Sequence, residues 1–391
     1  MTSKTDKPAA SQTRAVRAGL ASDAATGAVV PPIHLSTTYA FRGYDDKRAY
    51  DYSRSGNPTR DLLGAALAEL EGGAGAVITG SGMGAITLVG HLFKVGARIV
   101  AQHDCYGGSY RLFEEWHKRG EFAVEFVDFG DAAAVRAALA RPAALVWIET
   151  PSNPLLRITD IAAVAAQARQ AGALLVVDNT FLSPAWQQPL KLGADIVVHS
   201  TTKYINGHSD VVGGAAIGRT AELHERLGWW ANTLGLTGAP FDSYLTLRGL
   251  RTLHARLAVH GRNAQGLAEF LAGQSAVSRV WYPGLPAHAG HELAARQQQG
   301  FGAIVSFELA GGTAAVRRFV DGLRCFTLAE SLGGVESLVA HPVTMTHAAM
   351  DEPSRRAAGL TDGLLRLSVG IESLDDLRDD LAAAVARARG A

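Results

Sequence analysis

The chain has 391 residues, of which 47% are apolar and 19% charged, a composition typical of a globular enzyme with a sizeable core. Lys+Arg and Asp+Glu both number 37, and this zero formal charge argues against an electrostatic nucleic-acid or membrane binder. There is no apolar signal core or membrane-length apolar run, and Cys105 and Cys325 lack CxxC spacing. We therefore expect a soluble, cytoplasmic protein without a disulfide framework or a structural zinc site.

Three regions follow one another along the chain. Residues 1–60 have little helical periodicity and many turn residues, which predicts an extended arm able to reach a neighbouring subunit. In residues 61–252, helical periodicity alternates with short apolar runs that are continuous rather than alternating, as in a parallel sheet buried on both faces. These runs are AVIT (76–79), RIVAQ (98–102), ALVWIE (144–149), LLVV (174–177) and IVV (196–198). Between two of them, a helix is predicted from Ile161 to Ala168, with Asp160 as N-cap and Gly172 as stop.

Residues 253–391 have a different pattern. FGAIVSFEL, CFTLAESLGG and LLRLSVGIE are predicted strands, separated by the predicted helices TAAVRRFVDGL and SLDDLRDDLAAAVARA. The pattern predicts an α/β fold: a large, mostly parallel sheet domain followed by a smaller C-terminal α/β domain. Polar clusters follow the apolar runs of the large sheet, and ligands of open α/β sheets bind at that edge.

Two of these clusters indicate a pyridoxal phosphate (PLP) site. Lys203 comes just after a strand, preceded by Ser200, Thr201 and Thr202, and Asp178 follows another strand. PLP requires a lysine amine for its aldehyde, hydroxyls for its phosphate and a carboxylate for its pyridine nitrogen. The alternatives are an exposed lysine and an aspartate that caps a turn.

The segment GSGMGA is open to two interpretations. Gly80, Gly82 and Ala85 fit the dinucleotide pattern G-x-G-x-x-A, with Asp104 at a suitable distance, which would indicate an NAD-dependent dehydrogenase. The same geometry binds a single phosphate at a helix N-terminus, with the amides of Gly82 and Met83 as donors. A dehydrogenase leaves Lys203 and Asp178 unexplained.

Other candidates have mainly structural interpretations. Tyr106 could stack on a cofactor ring or pack against the sheet. Cys105 is expected to be a packed thiol, because no histidine pattern activates it. His341 and His347 fit no metal motif, so no metal site is predicted.

The longer motifs resemble the Cys/Met-metabolism family of PLP-dependent enzymes from about residue 14 to the end. They are YSRSGNPTR, CYGGSYR, ETPSNPLLR, VVDNTF, HSTTKYINGHSDVVGG and LAESLGGVESL. WWANTLGLTGAPFDSYLTLRGLRTL, HDCYGGSYRLF and Asp51 are most similar to bacterial members that perform γ-replacement, whereas Glu330 is common to γ-replacement and γ-elimination members.

The resemblance implies an aminotransferase-type fold, a homotetramer built from two catalytic dimers, and a set of residue roles. It implies that Lys203 holds the cofactor and moves protons, that Asp178 pairs with the pyridine nitrogen and that Tyr106 stacks on the ring. Phosphate ligands would be Gly82, Met83, Ser200 and Thr202, with Tyr52 and Arg54 from the neighbouring subunit. Substrate ligands would be Asp51, Arg111, Asn153, Glu330, Ser331 and Arg366.

The implied reaction is γ-replacement of O-succinyl-L-homoserine with L-cysteine, giving L-cystathionine and succinate. The nearest alternative is γ-elimination of L-cystathionine, or an enzyme that does both. A non-catalytic relative is a further alternative, against which the intact Lys203, Asp178 and Arg366 argue.

Overall fold

Two β-sheets organise the chain in the computed structural model, which describes residues 9–346, 348, 355 and 358–390. The strands of the larger sheet are Gly75–Thr79 (β1), Arg98–Gln102 (β2), Ala123–Val127 (β3), Leu145–Glu149 (β4), Leu174–Asp178 (β5), Ile196–His199 (β6) and Gly214–Gly218 (β7). Their order is β1-β7-β6-β5-β4-β2-β3. Strands β2 to β6 pair in parallel, and β7 runs antiparallel to β6 and β1.

Both faces of the larger sheet are covered by apolar cores. Val146 and Ile148 of β4 belong to one core and Leu145 and Trp147 to the other, because successive side chains of a strand point to opposite faces. The helices up to residue 250 are Ser11–Arg17 (α1), Pro58–Glu71 (α2), Gly82–Gly90 (α3), Gly107–Lys118 (α4), Ala132–Leu139 (α5), Ile161–Gln170 (α6), Ser183–Trp186 (α7), Ala221–Leu234 (α8) and Pro240–Leu250 (α9), with a 3₁₀ turn at Pro189–Leu192.

The smaller sheet is formed by the C-terminal part of the chain. Its strands are Val277–Trp281 (β8), Ile304–Leu309 (β9), Thr327–Leu328 (β10), Leu338–Ala340 (β11) and Leu364–Ser368 (β12), in the order β10-β11-β12-β9-β8. The accompanying helices are Leu253–Ala272 (α10), His291–Gln297 (α11), Gly312–Val320 (α12) and Leu374–Arg389 (α13). The predicted α/β fold, with a large, mostly parallel sheet and a smaller second sheet, is confirmed. The exact domain boundaries stay a prediction.

Local signals explain where several elements begin and end. The Asn57 side chain accepts the amides of Thr59 and Arg60 at the start of α2. As predicted, the Asp160 side chain caps α6 through the amide of Ala163, and Gly172 follows the helix with φ +72°.

Two predictions of local structure were wrong. The arm contains helix α1, because tertiary contacts hold this short segment: Ala15 is buried, and Arg14 donates to the carbonyl of Glu69 at 2.6 Å. In CFTLAESLGG only Thr327–Leu328 is a strand, because the chain then turns at Ser331, whose φ is +88°.

The described helices include none that is both long and apolar enough to cross a membrane.

A buried hydrogen-bonded contact between a glutamate and a histidine fixes the end of β6, just before Ser200. His199 Nε2 lies 2.6 Å from Glu71 Oε1, and Asn179 Nδ2 donates to the same oxygen at 2.9 Å. Glu71 and His199 are both fully buried. The pair therefore joins the end of α2 to the strand that carries the lysine loop.

Replacing Glu71 with alanine should lower the free energy of unfolding by about 3–5 kcal/mol, because it leaves a buried partner uncompensated. Denaturant unfolding checks this value. The matched control is Glu69→Ala on the same helix, where the side chain is 57% exposed, and the expected loss there is below about 0.5 kcal/mol. Equal losses in the two variants would contradict the assignment.

Candidate active site

A cavity of about 370 Å³ lies at the carboxyl edge of the parallel strands and is closed on one side by the smaller sheet. It collects side chains from distant parts of the sequence. The polar and charged lining residues are Ser81, Tyr106, Arg111, Glu149, Asn153, Asp178, Thr180, Ser200, Thr202, Lys203, Glu330, Ser331, Thr346 and Arg366, together with the backbone of Gly82. Sequence reasoning predicted most of these positions to lie together.

Lys203 is held in the cavity by the turn that follows β6. Its amide donates to the carbonyl of Ser200 at 3.2 Å, and its Nζ donates to Ser331 Oγ at 3.0 Å. Burial, and to a smaller extent Arg366, lower the pKa of Lys203 to about 8, although Glu330 opposes the shift. A substantial fraction of the amine is therefore neutral and nucleophilic near physiological pH.

Arg366 extends from β12 of the smaller sheet to the same place. Its Nη1 donates to Asn153 Oδ1 at 2.9 Å and its Nη2 to the carbonyl of Ser331 at 2.8 Å. Burial lowers the pKa of Arg366 to about 10, so the group stays charged at neutral pH. Its Nε has no hydrogen-bond partner among the described residues. This buried cation suits a carboxylate ligand.

Asp178 lies on the floor of the cavity at the end of β5. Thr180 donates to Asp178 Oδ1 from its hydroxyl at 2.6 Å and from its amide at 3.0 Å. Burial raises the pKa of Asp178, while the Thr180 bonds and His199 lower it. Both Thr180 bonds go to Oδ1, so among the described residues the Oδ2 oxygen of this buried carboxylate is left to accept a protonated ring nitrogen.

The N-terminus of α3 closes another side of the cavity. Ser81 caps this helix by accepting the amide of Gly84 at 3.0 Å. The amides of Gly82 and Met83 lie in the first turn, where no carbonyl of the helix can accept them. A Cβ on Gly82 would lie 2.8 Å from Ser200 Cβ. The helix therefore approaches the hydroxyls of Ser200 and Thr202 only because residue 82 is glycine, and together these groups form a cradle for a phosphate.

Tyr106, Arg111 and Glu330 line the outer part of the cavity. Tyr106 is 42% exposed, so its ring is available to a ligand. Arg111 lies one turn further along α4 and lines the same cavity. The orientation of Arg111 was not evident from the sequence.

The structure does not bring Asp51, Tyr52 and Arg54 to this cavity within one chain. Tyr52 is half exposed, the Arg54 guanidinium lies 5.7 Å from the Tyr52 ring, and Asp51 Oδ2 pairs with Lys47 Nζ at 2.8 Å. The segment belongs to the largely exposed stretch before α2. That these residues contact the phosphate and the substrate in a neighbouring subunit stays a prediction.

Sequence reasoning missed several lining residues. Glu149, Thr180, Phe181 and Met345 all line the cavity. The signal for Glu149 was present in the sequence, because it is the last residue of the run ALVWIE. Met345 follows no strand, so nothing in its local sequence indicated it.

Asp104 does not take the position that a dinucleotide site requires. Its carboxylate accepts hydrogen bonds from Gln102 at 2.7 Å and Ser152 at 2.6 Å, and Arg157 lies 3.2 Å away. These contacts tie two strand ends together, and Asp104 does not line the cavity. Burial raises the pKa of Cys105 well above its usual value, as expected of a packed thiol. Of the two histidines of HPVTMTH, His347 lies outside the described residues, which contain no cluster of three or more potential metal ligands.

The groups that line the cavity fit PLP. A partly neutral lysine, a buried carboxylate, a glycine-dependent phosphate cradle and an accessible aromatic ring lie around one cavity of suitable size. The cavity lies between a large, mostly parallel sheet and a smaller second sheet. This fold and this site together define the class of PLP-dependent enzymes of the aminotransferase type.

Comparisons with known proteins give the family. Residues 12–386 match the profile of the Cys/Met metabolism PLP-dependent enzymes. The chain is 59% identical to cystathionine gamma-synthase of Escherichia coli (strain K12) over 370 residues, 94% of this chain and 96% of that one. It is 45% identical to cystathionine beta-lyase of Coxiella burnetii over 387 residues, 98% of this chain and 100% of the relative.

The crystal structure of cystathionine gamma synthase from Xanthomonas oryzae pv. oryzae in complex with cystathionine superimposes with a TM-score of 0.97. That protein is 64% identical, and the match covers 98% of this chain and 100% of the other. The chain therefore belongs to the Cys/Met metabolism family of PLP-dependent enzymes, as the sequence motifs predicted.

Gly82→Ala should raise the dissociation constant for PLP by about tenfold or more, because the added Cβ forces the helix away from Ser200. Fluorescence titration of protein freed of cofactor measures the constant. Gly80→Ala is the matched control, since its Cβ would meet nothing closer than the Thr237 carbonyl at 3.7 Å. A Gly82→Ala protein that binds PLP as well as Gly80→Ala does would contradict the cradle.

The rate at which PLP becomes attached to Lys203 should rise with pH and level off above about 8. Below that pH the amine is protonated and cannot attack the aldehyde, so the rate falls about tenfold per pH unit. Stopped-flow absorbance after mixing apoprotein with PLP checks the profile. Glu330→Gln should move the midpoint to lower pH, because Glu330 raises the pKa of Lys203. A midpoint near 10 in the unmodified protein would contradict the prediction.

Proposed function

We propose that the protein catalyses γ-replacement, converting O-succinyl-L-homoserine and L-cysteine into L-cystathionine and succinate. The observation that carries the proposal is that two arginines, Arg366 and Arg111, line one cavity around Lys203. O-succinyl-L-homoserine has two carboxylates, one at the α-carbon and one at the end of the succinyl group. The 59% identity to the Escherichia coli gamma-synthase supports the same reaction.

The cofactor-binding roles are part of this proposal. Lys203 holds PLP covalently, Asp178 pairs with the ring nitrogen and Tyr106 stacks on the ring. The amides of Gly82 and Met83 and the hydroxyls of Ser200 and Thr202 bind the phosphate. PLP, when bound, draws electrons from the substrate α-carbon and so makes its proton acidic.

Lys203 moves the protons. Once substrate has displaced it from the cofactor, its amine takes the α-proton and passes it on to the conjugated system. The amine is then neutral again and takes a proton from the β-carbon, which allows succinate to leave the γ-carbon. The cysteine thiolate then adds at the γ-carbon, and Lys203 returns protons to the product. A lysine suits this task because its long chain reaches successive carbons and its pKa, lowered to about 8, allows both uptake and release.

The remaining residues orient the substrates. Arg366, steadied by Asn153, binds the α-carboxylate, and the Ser331 hydroxyl places the Lys203 amine. Arg111 binds the distal succinyl carboxylate, and Glu330 pairs with the distal amino group of cystathionine.

Completion of the site by a second subunit is also proposed. Tyr52 and Arg54 of one subunit reach the phosphate of the next, Asp51 contacts substrate there, and residues 1–60 form the arm that carries them. The assembly is a homotetramer of two such dimers, with residues 61–252 and 253–391 as its PLP-binding and C-terminal domains. A cytoplasmic location stays a prediction.

A product assay tests the reaction. The protein is incubated with O-succinyl-L-homoserine, with and without L-cysteine, and separately with L-cystathionine, and products are identified by mass spectrometry. Cystathionine formed only when cysteine is present supports γ-replacement. If 2-oxobutanoate and ammonia are the only products in every mixture, the enzyme is a γ-lyase. Pyruvate from cystathionine would indicate cleavage at the β-carbon instead.

Arg111→Gln should raise KM for O-succinyl-L-homoserine by about tenfold or more, because a charged hydrogen bond to the succinyl carboxylate is lost. The KM for O-acetyl-L-homoserine, which has no distal carboxylate, should change by less than about threefold. Steady-state kinetics of both substrates provide the comparison. Arg366→Gln is the reference variant and should impair both substrates alike, whereas a uniform effect of Arg111→Gln would refute the assigned contact.

A further inference from the structure

Glu149 is a cavity carboxyl to which the proposed mechanism gives no task. It is only 4% exposed, lies at the end of β4 and lines the cavity. Its Oε2 accepts the amide of Tyr106 at 2.7 Å. No ion pair of Glu149 occurs among the residues that the structure describes, so its charge has no close compensation.

Glu149 and Asp178 are direct register partners on the adjacent parallel strands β4 and β5. Partners in register point to the same face, and neighbouring strands are only about 4.8 Å apart. Two carboxylates this close in a buried cavity cannot both ionise readily. One of the two is therefore expected to carry a proton.

The hydrogen bonds distinguish the two carboxyls. Asp178 accepts two bonds from Thr180, through one oxygen, and these favour its ionised form. Glu149 accepts a single amide. We propose that Glu149 is a neutral, protonated positioning residue that holds Tyr106 over the cavity and leaves Asp178 as the only anion on its floor.

The charges around Glu149 agree with this assignment. Burial raises the pKa of Glu149 well above its usual value, and Asp178 and Asp104 raise it further. The Tyr106 amide and, more weakly, Arg366 lower it. The Cys105 thiol also lies near Glu149, and burial together with Glu149 raises the pKa of this thiol well above its usual value. Each carboxylate facing Glu149 thus favours its neutral form.

A neutral Glu149 still performs a positioning task. Tyr106 is the N-cap residue of α4, and its own side chain caps none of the helix amides. The Glu149 carboxyl accepts the backbone amide of Tyr106 at this end of the helix. Glu149 is itself fixed because its amide donates to Gln102 Oε1 at 2.9 Å. The ends of β2 and β4 therefore determine where the Tyr106 ring lies.

The inference rests on the proposed placement of PLP in this cavity, and the pH titration of the bound cofactor tests it. Glu149→Gln replaces a neutral acid with a neutral amide of the same shape. We expect the midpoint of the cofactor absorption titration to move by less than about 0.3 pH unit, whereas removal of an ionised carboxylate would lower it by about one unit or more. Glu292→Gln, at an exposed position on α11, controls for a change in net charge.

Infrared difference spectroscopy gives a direct measurement. A protonated carboxylic acid band should be present in the holoenzyme and absent in Glu149→Gln. Loss of a carboxylate band instead, or a titration shift of one unit, would overturn the proposal.

Glu149→Ala separates positioning from charge. It removes the acceptor of the Tyr106 amide, so the visible circular dichroism of bound PLP should change and its dissociation constant should rise about tenfold. Glu149→Gln should restore both, because its amide oxygen still accepts the bond. Wild-type values in Glu149→Ala, or a failure of Glu149→Gln to bind PLP, would refute the role. If the unmodified protein gives no cofactor absorption at all, the proposed site itself is wrong.

Discussion

The cavity depends on a short chain of hydrogen bonds between the two sheets. Arg366, on the smaller sheet, donates to the carbonyl of Ser331, and the hydroxyl of Ser331 accepts from Lys203, which follows β6 of the larger sheet. Ser331 has a φ of +88°, a conformation that costs a residue other than glycine about 1–3 kcal/mol and persists only where its surroundings hold it. The strained turn lets one residue contact both cations. The relative position of Lys203 and Arg366 is thus fixed at atomic scale, although 163 residues of sequence separate them.

Burial of charge is the second constraint, and it follows from the topology. Parallel strands direct their carboxyl ends to one edge, so side chains that follow β4, β5 and β6 meet whether or not their charges agree. Burial disfavours every ionised group there: it lowers the pKa of Lys203 and Arg366 and raises that of Asp178 and Glu149. In the proposed placement, a ligand with an anionic phosphate at the N-terminus of α3 and a protonated ring nitrogen beside Asp178 would offset part of this cost. The charges of PLP would thus complement the perturbed groups of the cavity.

The sequence predicted the site better than its surroundings, for physical reasons. Lys203, Asp178 and Gly82 each follow an apolar strand of the larger sheet. The carboxyl ends of parallel strands share one edge, so these residues can be predicted to lie together without knowing the order of the strands. Strands β3, β7, β8 and β11 were not predicted: β7 is glycine- and alanine-rich, and β11 has only three residues. Glu149 was overlooked since a carboxylate at a strand end looks like any polar boundary residue. Its meaning depends on register with Asp178, a non-local property. Helix α1 likewise depends on contacts with Glu69 and Arg251.

We expect the outer part of the cavity to decide which reaction the protein catalyses. The chain is 59% identical to a relative named gamma-synthase and 45% identical to one named beta-lyase, and both matches cover nearly its full length. In the proposed mechanism, Lys203, Asp178 and Arg366 perform steps that any reaction starting from an α-amino acid requires: cofactor attachment, ring protonation and α-carboxylate binding. They cannot by themselves distinguish a leaving group at the γ-carbon from one at the β-carbon. In the proposed binding mode the distal half of the substrate makes this distinction, and it extends away from the α-carboxylate that Arg366 would bind. Arg111 and Glu330 are the charged residues of the described cavity lining that remain for it, and their greater exposure makes their contribution depend on geometry more than on charge alone.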